Sequence, residues 1–131
     1  MPPELQPGLV GEATVTVDRP DLASAMGSGT VDVYGTPAMI SLMESAAINA
    51  VDHLLPEVWA SVGTRLDVRH LAPTPPGLDV RARAELIAVD GRKLTFRVEA
   101  SDPVDLIGEG THERALVDVS RLVGRARAKL G

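Results

Sequence analysis

Three residues of the chain have types and positions that could support proton transfer: Thr36, Glu44 and His70. Glu44 is the one carboxylate in the apolar run VYGTPAMISLMESAA, eight positions after Thr36. A buried carboxylate is costly unless it has a partner or a raised pKa. His70 occupies an inward position of an otherwise apolar strand, and an acid and an imidazole within reach of each other can transfer protons near neutral pH. The three residues therefore predict a catalytic site.

Each of these residues also has a structural interpretation. Thr36 before Pro37 is typical of a helix N-cap, worth about 1 kcal/mol of helix stability. Glu44 could be a partly exposed surface group, and His70 a core histidine whose hydrogen bonds are satisfied. The conjunction of the acid with the imidazole favours catalysis, and the structural interpretation stays open.

The element that must position Thr36 and Glu44 is a helix predicted from Pro37 to about Leu55. Thr36 and Pro37 mark its start, and Pro56 marks its end. Glu44 lies at the border of the apolar face of this helix. That face consists of residues at three- and four-residue spacings: Met39, Leu42, Met43, Ala46, Ala47, Ala50, Val51 and Leu54.

Four segments, 9–18, 62–72, 78–90 and 92–102, alternate with a period of two and predict strands, and 104–122 is expected to form a last strand. In the second of them, the residues that share the inward side are Val62, Thr64, Leu66, Val68, His70 and Ala72. The sequence DGR at 90–92 predicts a tight turn, and Gly108 and Gly110 are the expected bulge positions of the last strand. The stretch from the first strand to Tyr34 has no period and is expected to be a loop.

The order of these elements predicts one α+β domain over residues 1–131, in which an antiparallel sheet wraps a central helix. A single sheet around one helix leaves apolar surface and free strand edges exposed. A homodimer would cover them. Whether such dimers pair further into tetramers stays open.

Composition excludes several classes of protein. With no cysteine, the chain has no disulfide, thiolate metal site or cysteine nucleophile. A net charge of −5 and only three aromatic residues disfavour nucleic-acid binding. The N-terminus lacks the pattern of a signal peptide, and no apolar run approaches the roughly 20 residues of a membrane span. We therefore expect a cytoplasmic protein that binds neither nucleic acid nor membrane.

The other histidines and the basic C-terminal segment give weaker signals. His53 is interpreted as a solvated residue and His112 as a strand-surface residue, and the spacing of the three histidines does not predict a metal site. The C-terminal segment is expected to be a solvated helix or a frayed terminus. It carries Arg121, Arg125, Arg127 and Lys129.

Three segments in order resemble the hotdog-fold acyl-CoA thioesterases, and most of all the fluoroacetyl-CoA thioesterase group. They are GTPAMISLMESAA (35–47), SVGTRLDVRHLAPTPPGL (61–78) and IGEGTHERALV (107–117). The likeness covers nearly all of residues 31–122, whereas residues 1–30 match poorly. It implies a hotdog fold paired into a dimer, thioester hydrolase activity on an acyl-CoA, and no cofactor or metal.

The resemblance also implies roles for individual residues. The catalytic threonine, glutamate and histidine of the family fit, in that order, Thr36, Glu44 and His70. Gly63 fits a glycine that lines the acyl site, and Arg114 fits an arginine of the last strand. Together with Tyr34, the aromatic residue next to the helix start, they are the substrate-binding candidates.

The implied chemistry is attack on a thioester carbonyl. Glu44 would act as general base, or as a nucleophile that gives a transient anhydride. His70 would pass a proton to the departing thiolate or orient water, and Thr36 would hold the acyl oxygen or Glu44. Where the fluoroacetyl-specific enzyme has an aromatic lid residue, this chain has Thr30. We therefore expect a short- or medium-chain acyl-CoA as substrate rather than a fluorinated two-carbon acyl group.

The alternative from another functional class is a non-catalytic hotdog protein that binds acyl-CoA or another small ligand. It predicts binding of CoA esters without turnover. Hydration of enoyl-CoA, also known on this fold, is less favoured because the chain has no Asp-x-x-x-x-His pairing of the type that reaction uses.

Overall fold

Five strands and three α-helices make up the computed structural model, which describes residues 3–131. The strands are β1 (Val10–Thr16), β2 (Trp59–His70), β3 (Asp79–Asp90), β4 (Lys93–Ser101) and β5 (Leu106–Asp118). The helices are α1 (Ala23–Met26), α2 (Thr36–Val51) and α3 (Val119–Arg127), and short 3₁₀ turns cover Arg19–Asp21, Asp52–Leu54 and Ala128–Leu130. Residues 1 and 2 of the predicted N-terminal segment lie outside the described residues.

The sheet is antiparallel throughout, with the strand order β1-β3-β4-β5-β2. β3, β4 and β5 follow one another as the predicted meander, and a tight turn joins Asp90 to Lys93. Gly91 in this turn has a φ of 60°, a left-handed conformation that glycine adopts without strain. β1 pairs with β3 and β2 with β5, so β1 and β2 form the two edges of the sheet.

The inner face of the sheet carries the core and packs on α2. Alternate residues of β3 and β4 are buried, as their two-residue period predicts. These residues are Val80, Ala82, Ala84, Leu86, Leu94, Phe96, Val98 and Ala100. The charged residues between them face outward, where Arg83 pairs with Glu85. The result is the predicted α+β arrangement of one sheet wrapped around one helix.

Helix α2 presents a small-residue face to the sheet, which allows close packing. The buried residues of this face are Met39, Met43, Ala46, Ala47, Ala50 and Val51. At Gly11 of β1 a Cβ atom would lie 2.8 Å from the backbone carbon of Asn49, well inside contact distance. Asn49 Nδ2 also donates to the backbone oxygen of Glu12 at 2.8 Å, which fixes α2 on the β1 edge. The helix ends at Val51, and Leu54 of the predicted apolar face is half exposed.

A β-bulge in β2 changes which residues face α2. The register shifts between Gly63 and Arg65, so Thr64 is an extra residue in this strand. An extra residue moves the side-chain alternation by one position, and the prediction that Val62 and Thr64 point inward is therefore wrong. The bulge lets Gly63 and His70, which are seven positions apart, face the helix from the same side of the sheet.

The last strand is shorter than predicted, because α3 begins at Val119. Asp118 caps this helix through Oδ1, which accepts from the backbone nitrogen of Arg121 at 3.3 Å. The apolar residues Val119, Leu122 and Val123 have helical spacing, and apolar and polar residues do not alternate over 119–123. The basic C-terminal segment is thus an exposed helix, in agreement with its sequence interpretation. None of the helices in residues 3–131 is long and apolar enough to cross a membrane.

Two smaller expectations about irregular structure also change. Gly110 is not a bulge, since it pairs in register with both neighbouring strands, and the irregularity of β5 lies at Ile107, next to Gly108. A Cβ at Gly108 would overlap the Met39 sulfur, so the absence of a side chain here makes room for Met39 of α2. The predicted loop before Tyr34 contains α1 and a 3₁₀ turn.

Candidate active site

The hydroxyl of Thr36 and the imidazole of His70 are in hydrogen-bond contact where α2 begins and β2 ends. Oγ1 of Thr36 lies 2.7 Å from Nδ1 of His70. The start of the helix and the end of the edge strand thus bring together two residues that are far apart in sequence. A hydroxyl bonded to an imidazole can accept or deliver a proton.

Thr36 is free for this contact because it does not cap α2. Gly35 occupies the N-cap position, and Thr36 is the first helical residue. The interpretation of Thr36 as an N-cap is therefore wrong. A Cβ at Gly35 would lie 3.2 Å from the Cα of Ala23, so only glycine allows α1 to pack this closely on the start of α2.

A cavity of about 340 Å³ borders Thr36 and His70. Its other walls are Ala23, Ser28, Val33, Tyr34, Leu71, Ala72 and Pro73. Tyr34, a predicted substrate-binding residue, is buried, and burial together with the nearby charge of Asp21 raises the pKa of its hydroxyl to about 12. The cavity therefore has a neutral phenol in its wall. A larger cavity, of about 460 Å³, lies on the outer face of the sheet among charged residues, away from Thr36 and His70.

His70 is poised as a neutral imidazole with one free ring nitrogen. Burial lowers the pKa of His70 below its usual value. Its Nε2 atom is buried and has no hydrogen-bond partner in the part of the chain that the structure describes. An unpaired buried polar atom is costly, so a substrate atom or a water molecule at Nε2 would relieve that cost.

Glu44 lies two helical turns further along α2 and contacts a different part of the sheet. Its Oε2 is 3.5 Å from Nη1 of Arg114, and its side chain is 36% exposed whereas that of Arg114 is 4% exposed. The buried guanidinium needs a counter-charge, which Glu44 supplies. Gly63 lies against the same carboxylate, because a Cβ at this position would overlap Oε2. The predicted substrate-binding residues Gly63 and Arg114 therefore surround Glu44.

Arg114 is held by a second set of contacts from β2 and the turn after α2. Its Nε donates to Oγ of Ser61 and its Nη2 to the Ser61 carbonyl oxygen, both at 2.8 Å. Ser61 Oγ in turn donates to Asp52 Oδ1 at 2.6 Å. Burial lowers the pKa of Arg114, and the carboxylates of Asp52 and Glu44 oppose that shift. The guanidinium is thus fixed in position and oriented toward Glu44.

His112 also lies next to Arg114. Together with Glu44, Asp52, Ser61 and Arg114 it forms what we call the Arg114 cluster, so its interpretation as a strand-surface residue is wrong. The side chain is fully buried. Its Nδ1 lies 2.9 Å from the carbonyl oxygen of Arg65, and Nη1 of Arg114 donates to its Nε2 at 3.1 Å. Burial, with the adjacent Arg114 charge, lowers the pKa of His112, although its bond to the Arg65 carbonyl and the Glu44 charge act in the opposite direction.

One subunit does not bring Glu44 and His70 together. Thr36 and Glu44 are eight residues apart on α2, which corresponds to about 12 Å along the helix axis. Among residues 3–131, His70 contacts Thr36 and Glu44 contacts Arg114, and no contact joins the two groups. The expectation that the acid and the imidazole meet is therefore not met within a single chain.

Comparison with known proteins identifies the family of this chain. The family model for fluoroacetyl-CoA-specific thioesterases matches residues 17–120. A fluoroacetyl-CoA thioesterase from Streptantibioticus cattleyicolor is 45% identical over 98 residues, which are 75% of this chain and 70% of the relative. The chain belongs to the fluoroacetyl-CoA-specific thioesterase family.

Solved structures confirm the fold of this family member. The fluoroacetyl-CoA thioesterase FlK superimposes with a TM-score of 0.90 at 34% identity, covering 97% of this chain and 98% of FlK. FlK has also been solved as a variant in complex with acetyl-CoA, with a TM-score of 0.91. A hot-dog-like protein from Thermanaerovibrio acidaminovorans gives a TM-score of 0.86 at 28% identity, over 95% of this chain and 93% of that one. The predicted hotdog fold and the predicted thioester hydrolase activity are confirmed.

Sequence reasoning missed three residues of the Arg114 cluster in this thioesterase family member: Asp52, Ser61 and His112. Asp52 falls within the predicted helix without a signal of its own, and Ser61 falls one residue before the predicted strand of 62–72. One available signal concerned His112. It lies two residues from Arg114 in a predicted strand, so the two side chains are expected on the same face of the sheet, and both fall within a segment that the resemblance covers. The bulge in β2 gave no comparable signal.

Proposed function

We propose that this thioester hydrolase cleaves a short- or medium-chain acyl-CoA into the free acid and CoA, using Thr36, His70 and Glu44. The observation that carries the proposal is the 2.7 Å contact between Thr36 and His70 at the edge of a cavity of about 340 Å³. The names of the relatives support the substrate class, since one is a fluoroacetyl-CoA thioesterase and FlK has been solved with acetyl-CoA. A cytoplasmic location is part of the proposal and agrees with the absence of cysteine.

Each of the three residues has a chemical role in the proposed hydrolysis. Glu44 removes a proton from the attacking water, or attacks the carbonyl carbon itself to give an anhydride that water then opens. The carbon–sulfur bond breaks, and Nε2 of the neutral His70 ring accepts the proton that the attacking water gave up to Glu44 and passes it to the departing thiolate. Thr36 holds the other ring nitrogen of His70 and so fixes the direction of Nε2.

The separation of Glu44 from His70 leads us to propose that the active site forms across a homodimer. Glu44 is 36% exposed, so its carboxylate can be reached from outside the subunit. β2 is a strand of 12 residues at the sheet edge, and a long free edge is a natural pairing surface. In a two-fold dimer, Glu44 of each subunit would face the Thr36–His70 pair of the other.

The proposed acyl group is short or of medium length and is not restricted to fluoroacetyl. Thr30, at the expected position of the aromatic lid, is exposed and too small to close the cavity as an aromatic side chain would. Besides Tyr34 and His70, the cavity is lined by small or aliphatic residues, and its volume is at the lower end of the range for small-molecule sites.

A panel of acyl-CoA esters from acetyl to decanoyl tests the activity, with thiol release as the readout. The wild-type protein should hydrolyse at least one ester, and Glu44→Gln should abolish turnover. Glu57→Gln, at an exposed glutamate outside the cluster, is the matched control and should keep full activity. Binding of the esters without any thiol release would instead support a non-catalytic binding protein.

Mixed dimers test whether the site forms across subunits. If Glu44 and His70 act from different chains, a dimer of one Glu44→Gln chain and one His70→Ala chain contains one intact site. Random mixing of the two inactive variants should then restore up to about one quarter of the wild-type activity per chain. No recovery in a mixture shown to contain mixed dimers would contradict the proposed dimer site.

A further inference from the structure

His112 is a buried imidazole between a backbone carbonyl group and a guanidinium, with both ring nitrogens in use. On one side its Nδ1 faces the Arg65 carbonyl oxygen at 2.9 Å, and on the other its Nε2 faces Nη1 of Arg114 at 3.1 Å. No role in the proposed hydrolysis has been given to it so far. Because the Arg114 guanidinium also contacts Glu44, His112 is only one residue removed from the proposed catalytic carboxylate.

The two contacts determine which nitrogen of His112 carries the proton. A carbonyl oxygen only accepts hydrogen bonds, so Nδ1 must carry a hydrogen. A guanidinium only donates, so Nε2 must present its lone pair. A neutral imidazole with its proton on Nδ1 satisfies both neighbours. A doubly protonated ring would face the Arg114 cation with a second positive charge.

We propose that His112 is a positioning residue that, as the Nδ1–H tautomer, directs the Arg114 guanidinium onto the Glu44 carboxylate. This inference rests on the proposed function, because it takes Glu44 as the group that acts on the thioester. Arg114 donates from Nε and Nη2 to Ser61, so Nη1 is the guanidinium nitrogen whose hydrogens are available to other groups. His112 accepts one Nη1 hydrogen and leaves the other for Glu44.

The surroundings of His112 support a directional role over simple space filling. From β5, Arg114 is the cation that faces it, from α2 the facing charge is Glu44, and Asp52 lies behind Arg114. From β4 the ring of Phe96 packs on it with centroids 6.2 Å apart. An apolar side chain could fill the space beside Phe96 equally well. The imidazole differs from such a side chain because both of its ring nitrogens have polar partners. Burial lowers the pKa of His112, which favours the neutral ring that the geometry requires.

Ring-nitrogen NMR of the full-length protein tests the tautomer without reference to activity. With ¹⁵N-labelled histidine and the signals assigned through His112→Gln and His53→Gln, we expect Nδ1 of His112 to be protonated and Nε2 to carry no proton at pH 7 and above. The opposite tautomer, or a ring that titrates near pH 6.5 like an exposed histidine, would overturn the proposal. This result stands even if no acyl-CoA is hydrolysed, which would overturn the proposed function instead.

One pair of variants tests the effect on catalysis. His112→Gln keeps an acceptor close to the position of Nε2, whereas His112→Leu has none. His112→Leu should lower kcat about 10- to 100-fold with KM changed by less than about threefold, and His112→Gln should stay within about threefold of wild type. If the leucine variant does not fold, His112→Asn takes its place, because its shorter amide reaches the Arg65 carbonyl oxygen but not Arg114. A positioning role would be refuted by equal losses of kcat in His112→Gln and in the variant without an acceptor. It would also be refuted by a wild-type kcat in the variant without an acceptor.

Discussion

Gly63 offers a direct test of whether Glu44 must stay where the structure holds it. A Cβ added at Gly63 would overlap Oε2 of Glu44, and it would lie 3.3 Å from Cε1 of His112 and 3.5 Å from Nη1 of Arg114. The His112 ring and the Arg114 guanidinium are buried and cannot move aside easily. The Glu44 carboxylate, at the end of a flexible side chain, is therefore the group that must shift in Gly63→Ala.

The size of the effect follows from the distances. Ordinary contact between the new methyl group and the carboxylate requires a displacement of about 1 Å. Such a displacement also weakens the contact with Arg114, now 3.5 Å long. Misplacing a reacting group by about 1 Å costs up to about 100-fold in rate, or about 2.7 kcal/mol in activation free energy. We expect kcat to fall about 10- to 100-fold in Gly63→Ala.

The kcat of Gly63→Ala is measured by thiol release with the best acyl-CoA substrate. Its stability is measured by thermal unfolding. The melting temperature should change little, because Gly63 is not among the glycines with a positive φ and alanine fits its backbone conformation. Gly124→Ala is the matched control, since a Cβ there meets nothing within 4 Å, and it should keep full activity. Wild-type kcat in Gly63→Ala would show that the observed position of Glu44 does not matter for the chemistry.

Three further outcomes are expected. Thr36→Val, which removes the hydroxyl bonded to His70, should lower kcat by about tenfold or less, and Thr36→Ser should restore it; equal rates for both variants would count against the hydroxyl. Because burial lowers the pKa of His70, its imidazole stays neutral at pH 7 and gains a proton only below about 6.5, so kcat/KM should fall along a limb with its midpoint below that pH. A midpoint above it would contradict the neutral ring. Arg114→Met removes the two hydrogen bonds that Arg114 donates to Ser61 and should lower the free energy of unfolding by at least about 2 kcal/mol in urea titrations; an unchanged value would show that these bonds add nothing to stability.

The sequence was most informative where a single period ran without interruption. The three- and four-residue spacing of the apolar residues after Pro37 gave the long helix, and the alternation in 78–90 and 92–102 gave β3 and β4 nearly to the residue. These patterns persist because a buried face constrains every residue that contributes to it. At the C-terminus the predicted strand ran too far, because the cap at Asp118 and the helical spacing of Val119, Leu122 and Val123 begin a helix there.

The candidate site was predictable as a set of residue types and not as a set of contacts. Thr36 and His70 were both named, but their mutual hydrogen bond depends on Gly35 taking the N-cap position. Gly63 and His70 share one face only because of the bulge at Thr64, and no periodicity announces an extra residue in a strand. The partner of Glu44 was also not predictable, because ion pairs between distant elements depend on the register of the sheet.

Within one subunit, Glu44 contacts Arg114 and His70 contacts Thr36, and this separation has a chemical consequence. A carboxylate bonded directly to His70 in the resting subunit would favour its protonated form, whereas the observed contact with Thr36 and the burial of the ring favour the neutral form. Arg114 meanwhile gives Glu44 a counter-charge that does not depend on His70. The contacts of the two groups are therefore independent of each other until the groups meet, and in the proposed dimer that meeting depends on assembly. Activity should then decline on dilution together with the dimer, as followed by sedimentation, and full specific activity of a dilute monomer would refute this reasoning.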